Sequence, residues 1–269
     1  MGGETADEVR LRRRGTFARI AEQYALSRPT YPDALFDQLS VYGGLVRGAR
    51  VLEAAPGTGQ ATASMAERGW WITAVELSPE LAAVARRQLA DYPAVDVVVS
   101  AFEDWTPSAG VYDAFVCATA YHWLDPATRL ARISAALRPR GTVAVVWTHH
   151  VAGGTQDFFT DVQQHYLRWD PSARADERLP PEHDVASASE ELLDSPLVTD
   201  VESHRFSLDP TYSAEEYVAL LSTYSPTLAL SPTARAGLLS GVRHLIASRF
   251  EGRVAKRYLF ELVLARTLP

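Results

Sequence analysis

The chain has 269 residues, a length that suits one elaborated α/β domain or at most two small domains. Its apolar fraction of 47% and charged fraction of 22% are typical of a globular protein that builds a core without disulfides or metals. The net charge of −7 argues against a nucleic-acid partner, because proteins that bind polyanions usually present a basic field. No apolar run is long enough to span a bilayer or to form a secretory signal, so we expect a cytoplasmic protein without a membrane partner.

The chain contains one cysteine, Cys117, so no internal disulfide and no thiolate zinc cluster can form. Cys117 lies inside an apolar run, which predicts a buried and inert thiol. The histidines and carboxylates show no close metal-ligand spacing such as H-x-x-x-H. We therefore predict no metal site.

In the first half of the chain, short apolar runs alternate with helical patterns. The patterns predict strands at 50–55, 70–76, 95–100, 113–118 and 142–147, and helices at 60–68, 78–90 and from Asp125-Pro126 to about 137. Strands separated by helices imply βαβ units, and right-handed crossovers then produce a doubly wound, mostly parallel sheet. Ligands of such an open sheet bind at the carboxyl ends of its strands.

The pattern changes after Trp147. Residues 151–197 carry aromatic side chains at helical spacings and then a polar, proline-containing stretch, which predicts a helical lid. These aromatic residues, which are Phe158, Phe159, Tyr166 and Trp169, are either core or an apolar substrate surface. Further strands are predicted at 201–208 and 256–266, separated by helices that begin at the Ser213 capping box and at Pro232. We predict one domain, divided into an N-terminal helical cap (1–45), a cofactor-binding core (46–150), the lid (151–197) and C-terminal strands with a helical insertion (198–269).

A glycine-rich turn lies directly between the first predicted strand and the first predicted helix. Its sequence is Glu53-Ala-Ala55-Pro-Gly57-Thr-Gly59-Gln60. The small residues at 55, 57 and 59 allow a ligand to approach the backbone, where a larger side chain would obstruct it. The helix start beyond them offers unpaired N–H groups. The turn therefore predicts a cofactor site.

Two cofactor classes use this geometry, and the charge of Glu53 separates them. A dinucleotide site has the spacing G-x-G-x-x-G and places a pyrophosphate at the helix N-terminus. Here the spacing is A-x-G-x-G, and Thr62 stands at the position of the third glycine. A carboxylate at Glu53 repels a pyrophosphate but suits the α-ammonium group of S-adenosylmethionine (SAM). Glu76, which ends the second strand, can accept the ribose hydroxyl protons of either cofactor.

Together these segments resemble the class I SAM-dependent methyltransferase family, in the small-molecule branch similar to trans-aconitate methyltransferases. The resemblance is carried, in chain order, by FARIAEQYALSRPTYP, VLEAAPGTG, AVELS, SAFEDW, YDAFVCATAYHW and LRPRGTVAVV. It implies a seven-stranded, Rossmann-like sheet whose last strand is antiparallel, with helical lid insertions. It also implies SAM as cofactor, with S-adenosylhomocysteine (SAH) as its product.

The resemblance further implies a role for individual residues. Those expected to bind the cofactor are Glu53, Ala55, Gly57 and Gln60 (methionine part), Glu76 (ribose), Leu77, Phe102 and Glu103 (adenine), Thr119 (sulfonium), and Tyr24 and Arg28 (carboxylate). Two positions depart from the family pattern: Ala55 replaces the first glycine, and Ala101 replaces an aspartate that many relatives carry. Adenine recognition is therefore expected to use backbone groups or Glu103.

A general base is required only if the acceptor arrives protonated. His122 is the first candidate because it follows the fourth strand at the edge where the methyl group should lie, although its imidazole could instead fix the loop. His149 and His150 follow the fifth predicted strand at the same edge, and we take His149 as the one that could face the pocket. Trp123 and Trp147 are expected to line the pocket rather than to react.

The sequence thus predicts an enzyme that methylates a small molecule, with O- or carboxylate-methylation favoured. Three alternatives stay open: an NAD(P)-dependent oxidoreductase, a SAM-binding protein that catalyses a rearrangement or serves as a non-catalytic subunit, and a protein methyltransferase. The acceptor and the oligomeric state cannot be read from the sequence.

Overall fold

The computed structural model describes residues 27–107 and 109–269. Its strands are β1 (Arg50–Ala54), β2 (Trp71–Glu76), β3 (Val95–Val99), β4 (Tyr112–Ala118), β5 (Leu137–His150), β6 (Val198–Leu208), β7 (Thr211–Ser213), β8 (Arg253–Ala255) and β9 (Tyr258–Thr267). Its α-helices are α1 (Asp33–Gly43), α2 (Gln60–Glu67), α3 (Pro79–Gln88), α4 (Arg129–Ala136), α5 (Gln156–Asp161), α6 (Gln163–Trp169), α7 (Glu190–Leu193), α8 (Ala214–Leu221), α9 (Ser225–Ala229) and α10 (Pro232–Arg249).

Seven strands form one sheet in the order β3-β2-β1-β4-β5-β9-β6. The pairs β1–β2, β1–β4, β2–β3 and β4–β5 are parallel, whereas β9 is antiparallel to both β5 and β6. The predicted fold class is thereby confirmed: a doubly wound, Rossmann-like sheet whose last strand in the chain is antiparallel. A small second ladder joins β7 to β8, which the sequence patterns do not predict.

Both faces of the sheet are buried, because helices cover each side. In β5, Ala144 and Val146 belong to one core cluster, and Val143 and Val145 belong to the other. The same alternation continues in β9. A sheet covered on both sides needs apolar residues at every position, which explains the continuous rather than alternating hydrophobicity of these strands.

Local capping signals locate several helix starts. Ser78 caps α3 by accepting a hydrogen bond from the N–H of Leu81, and Ser213 caps α8 through a complete capping box with Glu216. The predicted start at Asp125 is wrong, because α4 begins at Arg129. The Asp125 carboxylate instead accepts hydrogen bonds within a turn, from the N–H of Ala127 and the hydroxyl of Thr128.

The fifth strand is longer than predicted. We expected it to end at Trp147, but β5 continues to His150. Antiparallel β9 supplies hydrogen-bond partners up to the pair His150 and Tyr258, so the strand extends as far as its neighbour does. His149 and His150 therefore lie within β5 and point to opposite faces of the sheet.

The lid aromatics belong to the core. Phe158 is fully buried and makes edge-to-face contacts with Tyr217 and Phe250, at ring-centroid distances of 5.1 and 5.6 Å. The other three aromatic residues of the lid pack, partly buried, against the same cluster. Of the two readings of this stripe, the structure supports core packing.

Candidate functional site

A cavity of about 280 Å³ opens at the carboxyl ends of β1, β2 and β4, where an open α/β sheet binds its ligands. Nine of the residues predicted from the sequence line its wall: Arg28, Ala55, Glu76, Leu77, Phe102, Glu103, Thr119, His122 and Trp123. They come from distant parts of the chain, and the topology brings them to one edge of the sheet.

The glycine-rich turn leaves the backbone accessible. Ala55, Gly57 and Gly59 all have left-handed backbone conformations, with φ of 54°, 62° and 95°. A Cβ atom added to Gly57 would meet no atom within 4 Å, so this part of the turn is open to an approaching group. Ala55 adopts the left-handed conformation although it is not glycine, at a cost of roughly 1–2 kcal/mol. Local strain of this kind is typical of functional sites.

Glu76 ends β2 and is 4% exposed. Its carboxylate accepts a hydrogen bond from the N–H of Gly57 at 3.0 Å and another from the N–H of Ser78 at 2.8 Å. These two bonds fix the carboxylate between the glycine-rich turn and the start of α3. An acceptor group is thus held in the cavity wall at the end of β2.

Glu53 is buried in β1, beside the cavity but not in its wall. Thr62 donates a hydrogen bond to its carboxyl group at 2.6 Å. Burial raises the pKa of Glu53 to about 8; the bond from Thr62 opposes this effect and the charge of Glu76 adds to it. At neutral pH the carboxyl group is therefore mostly protonated in the absence of a cationic neighbour.

The opposite side of the cavity is apolar. Phe102 is buried against Phe115 at a ring-centroid distance of 5.6 Å, and Leu77 is 37% exposed. Glu103 accepts a hydrogen bond from the N–H of Asp125 at 2.8 Å and also contributes to the wall. An apolar slot with a carboxylate at its rim can hold a flat heteroaromatic ring.

Thr119 follows β4 with a left-handed φ of 59°. Its hydroxyl forms hydrogen bonds with Tyr31 at 3.1 Å and with Thr148 at 2.8 Å. Neither partner was predicted, because Tyr31 precedes the core and Thr148 lies in the unpredicted end of β5. The hydroxyl chain fixes the strand end at the wall of the cavity.

His122 lies in the 3₁₀ turn Tyr121–Trp123, with its ring 4.5 Å from Trp123 and 5.7 Å from Trp147. The ring is exposed on one side, but desolvation on the other and then the charge of Arg129 lower the pKa of His122 below 6.5. The imidazole is therefore neutral at pH 7 and able to accept a proton.

Arg129 holds this turn in place. Its guanidinium donates to the carbonyl oxygens of Tyr121 and Leu124 and forms a bidentate pair with Glu191 of α7. The geometry of the turn therefore depends on a lid helix about 60 residues away in sequence.

Of the other predicted residues, the structure places His149, Trp147, Gly57 and Gln60 outside the cavity wall. His149 lies 3.6 Å from the carboxylate of Glu261. Although burial raises the pKa of Glu261, the neighbouring His149 and the hydrogen bonds from Ser187, Ser203 and the N–H of Ala188 lower it to about 2. Gly57 and Gln60 lie in and just after the turn, where Gln60 accepts a hydrogen bond from Thr58. Tyr24 lies outside the described residues.

Sequence reasoning did not find the contribution of α9. Ser225, its first residue, lines the cavity, and Arg28 donates to the hydroxyl and carbonyl oxygens of the preceding Thr223. No motif marks Thr223 or Ser225, since only the tertiary fold brings this segment of the C-terminal insertion to the sheet edge. Cys117 is buried as expected, and burial raises the pKa of its thiol.

Within residues 27–107 and 109–269, no group of three or more His, Cys, Asp or Glu could hold a metal ion. Over the same ranges, none of the helices combines the length and the hydrophobicity that crossing a bilayer requires.

Comparisons with known proteins agree with this geometry. Residues 51–141 match the sequence model of the methyltransferase-domain family. An uncharacterized methyltransferase of Mycobacterium tuberculosis is 32% identical over 132 residues, which are 49% of this chain and 51% of the relative. A ubiquinone biosynthesis O-methyltransferase of Xanthomonas axonopodis is 38% identical over 97 residues, covering 35% of this chain and 41% of the relative. The chain thus spans about half the length of the curated relatives that it matches.

Solved structures show the same fold. A structure from Anaeromyxobacter dehalogenans, described as a type II methyltransferase, superposes with a TM-score of 0.60 at 24% identity. The superposition covers 90% of this chain and 99% of that one. The similarity therefore extends beyond the matched domain into the lid and the C-terminal strands.

Proposed function

We propose that this chain, whose residues 51–141 match the methyltransferase-domain family, is a class I SAM-dependent methyltransferase that transfers the methyl group of SAM to a small-molecule acceptor. One observation carries the proposal. Nine residues predicted from the sequence meet at one cavity, and an acidic strand end and a strained glycine-rich turn border it.

The residues present fit SAM. The open backbone at Gly57 allows close approach, Glu76 offers carboxylate oxygens for ribose hydroxyl groups, and Leu77 with Phe102 offers apolar surface for adenine. Glu53 is a buried acid beside the same turn, where a cationic amino group would favour its ionised form. A pyrophosphate has no basic partner in this turn. The charge pattern therefore favours SAM over a dinucleotide.

When bound, SAM supplies a methyl group that its sulfonium already activates. The chain's own residues then have to align the acceptor and exclude water, and alignment alone can contribute roughly 7–11 kcal/mol. Thr119, held by Tyr31 and Thr148, fixes the strand end where we place the reacting groups. Trp123 and His122 line the same cavity and limit the entry of water.

His122 is our candidate for the general base. Its imidazole is neutral at pH 7 and lies at the cavity, so it can take the proton of a hydroxyl acceptor. A carboxylate acceptor needs no base. His149 contacts Glu261, and we assign it a supporting role beside this carboxylate, which accepts hydrogen bonds from Ser187 and Ala188.

We favour a small-molecule acceptor and O- or carboxylate-methylation. Arg28 from the N-terminal segment and Ser225 of α9 border the cavity, which suits a small enclosed substrate better than a macromolecule. The similarity to an O-methyltransferase that acts in ubiquinone biosynthesis is compatible with this choice.

The test is calorimetric titration of the protein with SAM, SAH and NADH, followed by an assay for SAH production with a panel of hydroxyl and carboxyl acceptors. We expect SAM and SAH to bind, NADH not to bind, and Glu76→Ala to abolish SAM binding. Glu190→Ala, at an exposed position of α7, is the matched control and should bind SAM normally. Binding of NADH instead of SAM would overturn the assignment. SAM binding without SAH production would support a non-methylating role.

A further inference from the structure

The chain contains 25 arginines but only one lysine, Lys256, and that lysine is buried. It lies between β8 and β9 and is 4% exposed. Burying an ammonium group is costly unless a charge or strong hydrogen bonds compensate it. A lone lysine in such a place therefore requires an explanation.

The partners of Lys256 are neutral. Its ammonium group donates a hydrogen bond to the hydroxyl of Tyr224 at 3.0 Å and another to Nδ1 of His150 at 3.4 Å. It also lies 4.8 and 5.2 Å from the ring centroids of Tyr224 and Tyr258. Across the described ranges, no carboxylate forms a salt bridge with Lys256.

The charged and titratable groups around Lys256 all disfavour additional positive charge or are themselves neutral. Burial and then the charge of Arg28 lower the pKa of Lys256 to about 7. Burial and then Lys256 itself lower the pKa of His150, and burial raises that of Tyr258. The surrounding groups are Arg28, His150, Tyr212, Tyr224 and Tyr258. Among these described groups, none carries a negative charge that could balance Lys256.

The cluster adjoins the cavity by two routes. Tyr224 precedes Ser225, which lines the cavity, and Arg28, which also lines it, lies 4.6 Å from the Tyr224 ring centroid. On the sheet side, His150 shares a face of β5 with Thr148, whose hydroxyl bonds Thr119 in the cavity wall. Lys256 therefore lies behind the part of the cavity wall at which we expect the methyl acceptor to bind.

Lysine differs from arginine in a way that matters here. A guanidinium stays charged in proteins, whereas an ammonium can lose its proton when buried. Lys256 can therefore be neutral in the empty site and charged when an anion arrives, which avoids a permanent buried charge.

The geometry points to an oxyanion subsite formed by Lys256, Tyr224 and His150, and hence to a methyl acceptor that carries a carboxylate or a phosphate. This inference rests on the proposed function, which identifies the bound molecule as a methyl acceptor. Arg28, which lines the cavity, is the residue that the family resemblance places beside the cofactor carboxylate.

The single lysine makes the test direct. Protein labelled with [¹³Cε]lysine, carrying a lysine-free tag, gives one lysine side-chain resonance, which is followed against pH in the SAH complex. Acetate, benzoate and inorganic phosphate are the probes, and acetamide and benzamide are the neutral controls. We expect a carboxylate or phosphate to raise the pKa of Lys256 by one unit or more. By linkage, that shift corresponds to about tenfold tighter binding to the charged form.

Preference for acetate and benzoate identifies a carboxylate subsite, and preference for phosphate identifies a phosphate subsite. If none of the three anions moves the resonance while SAH still binds, the inference is wrong and the proposed function stands. If SAH itself does not bind, the proposed function fails first.

Two variants separate the subsite from the fold. Lys256→Met removes the charge, and Tyr224→Phe keeps the ring but removes the hydroxyl. We expect both to bind SAH within twofold of the parent and to lose benzoate or phosphate binding at least tenfold. Unchanged anion binding in Lys256→Met would overturn the inference. If Lys256→Met does not fold, the titration of the parent protein still decides the question.

Discussion

Replacing Glu53 with glutamine tests whether a protonated carboxyl group lies beneath the glycine-rich turn. Glu53 is 1% exposed, and burial raises its pKa from 4.5 to about 8. Glutamine has almost the same shape and keeps an oxygen that can accept the hydrogen bond from Thr62. The substitution therefore removes the ionisation and little else.

The expected effect depends on pH, and its sign follows from the raised pKa. Below pH 4.5 Glu53 is protonated in both the folded and the unfolded chain, so ionisation costs nothing. Between pH 4.5 and 8 the folded protein retains a proton that the unfolded chain releases, so stability falls as pH rises. Each pKa unit corresponds to about 1.4 kcal/mol, so the complete cost above pH 8 is about 5 kcal/mol.

Urea unfolding of the parent and of Glu53→Gln at pH 5, 6.5 and 8.5 measures this cost. We expect the difference in the free energy of unfolding, variant minus parent, to increase by several kcal/mol between pH 5 and 8.5. Glu190→Gln, an exposed control on α7, should show a nearly constant difference. A constant difference for Glu53→Gln would refute the protonated state of the buried acid.

Three further predictions concern the turn, the lid and the candidate base. Ala55→Gly should raise the free energy of unfolding by about 0.5–1 kcal/mol, because the relief of the left-handed strain exceeds the cost of the greater unfolded-state entropy of glycine. The control Ala54→Gly in β1 should lower the free energy of unfolding, and urea unfolding compares the two variants. Gly237→Ala should lower stability by about 1–2 kcal/mol despite the helix preference of alanine, because the new Cβ would lie 2.4 Å from the Trp169 indole; a raised melting temperature would show that this contact is not fixed. If His122 is the base, the methylation rate of a hydroxyl acceptor should decrease at pH values below 6.5, as the imidazole becomes protonated. The substitution His122→Asn should lower the rate about 10²–10⁴-fold and abolish this decrease at low pH. An unchanged pH profile in the variant would assign His122 to loop geometry.

The sequence by itself determined the order of strands and helices in the core. Apolar runs, caps and the turn at residues 55–59 are local signals, and the structure places β1, α2, β2 and α3 within two residues of their predicted bounds. The positions of Ala55 and Glu76 at the sheet edge follow from the same signals, because the carboxyl ends of parallel strands lie at the same edge of a sheet.

Local sequence patterns were insufficient where a neighbouring strand or a side-chain contact determines the structure. β5 extends to His150 because β9 pairs with it, and α4 starts late because the Asp125 carboxylate closes a turn instead of capping the helix. The aromatic stripe of the lid, ambiguous in the sequence, became core only through contact with α8 and α10.

Only the tertiary structure decided which histidine lies at the cavity and where Lys256 lies. His122 reaches the wall because Arg129 and Glu191 hold its turn, whereas His149 contacts Glu261 of β9. Nothing in the local sequence between Ala255 and Arg257 predicts that Lys256 is buried, and its burial follows from tyrosines and a histidine brought together by β5, β9 and the segment before α9. Secondary structure depends on residues that are near in sequence, whereas the charge environment of a side chain depends on residues that are near in space.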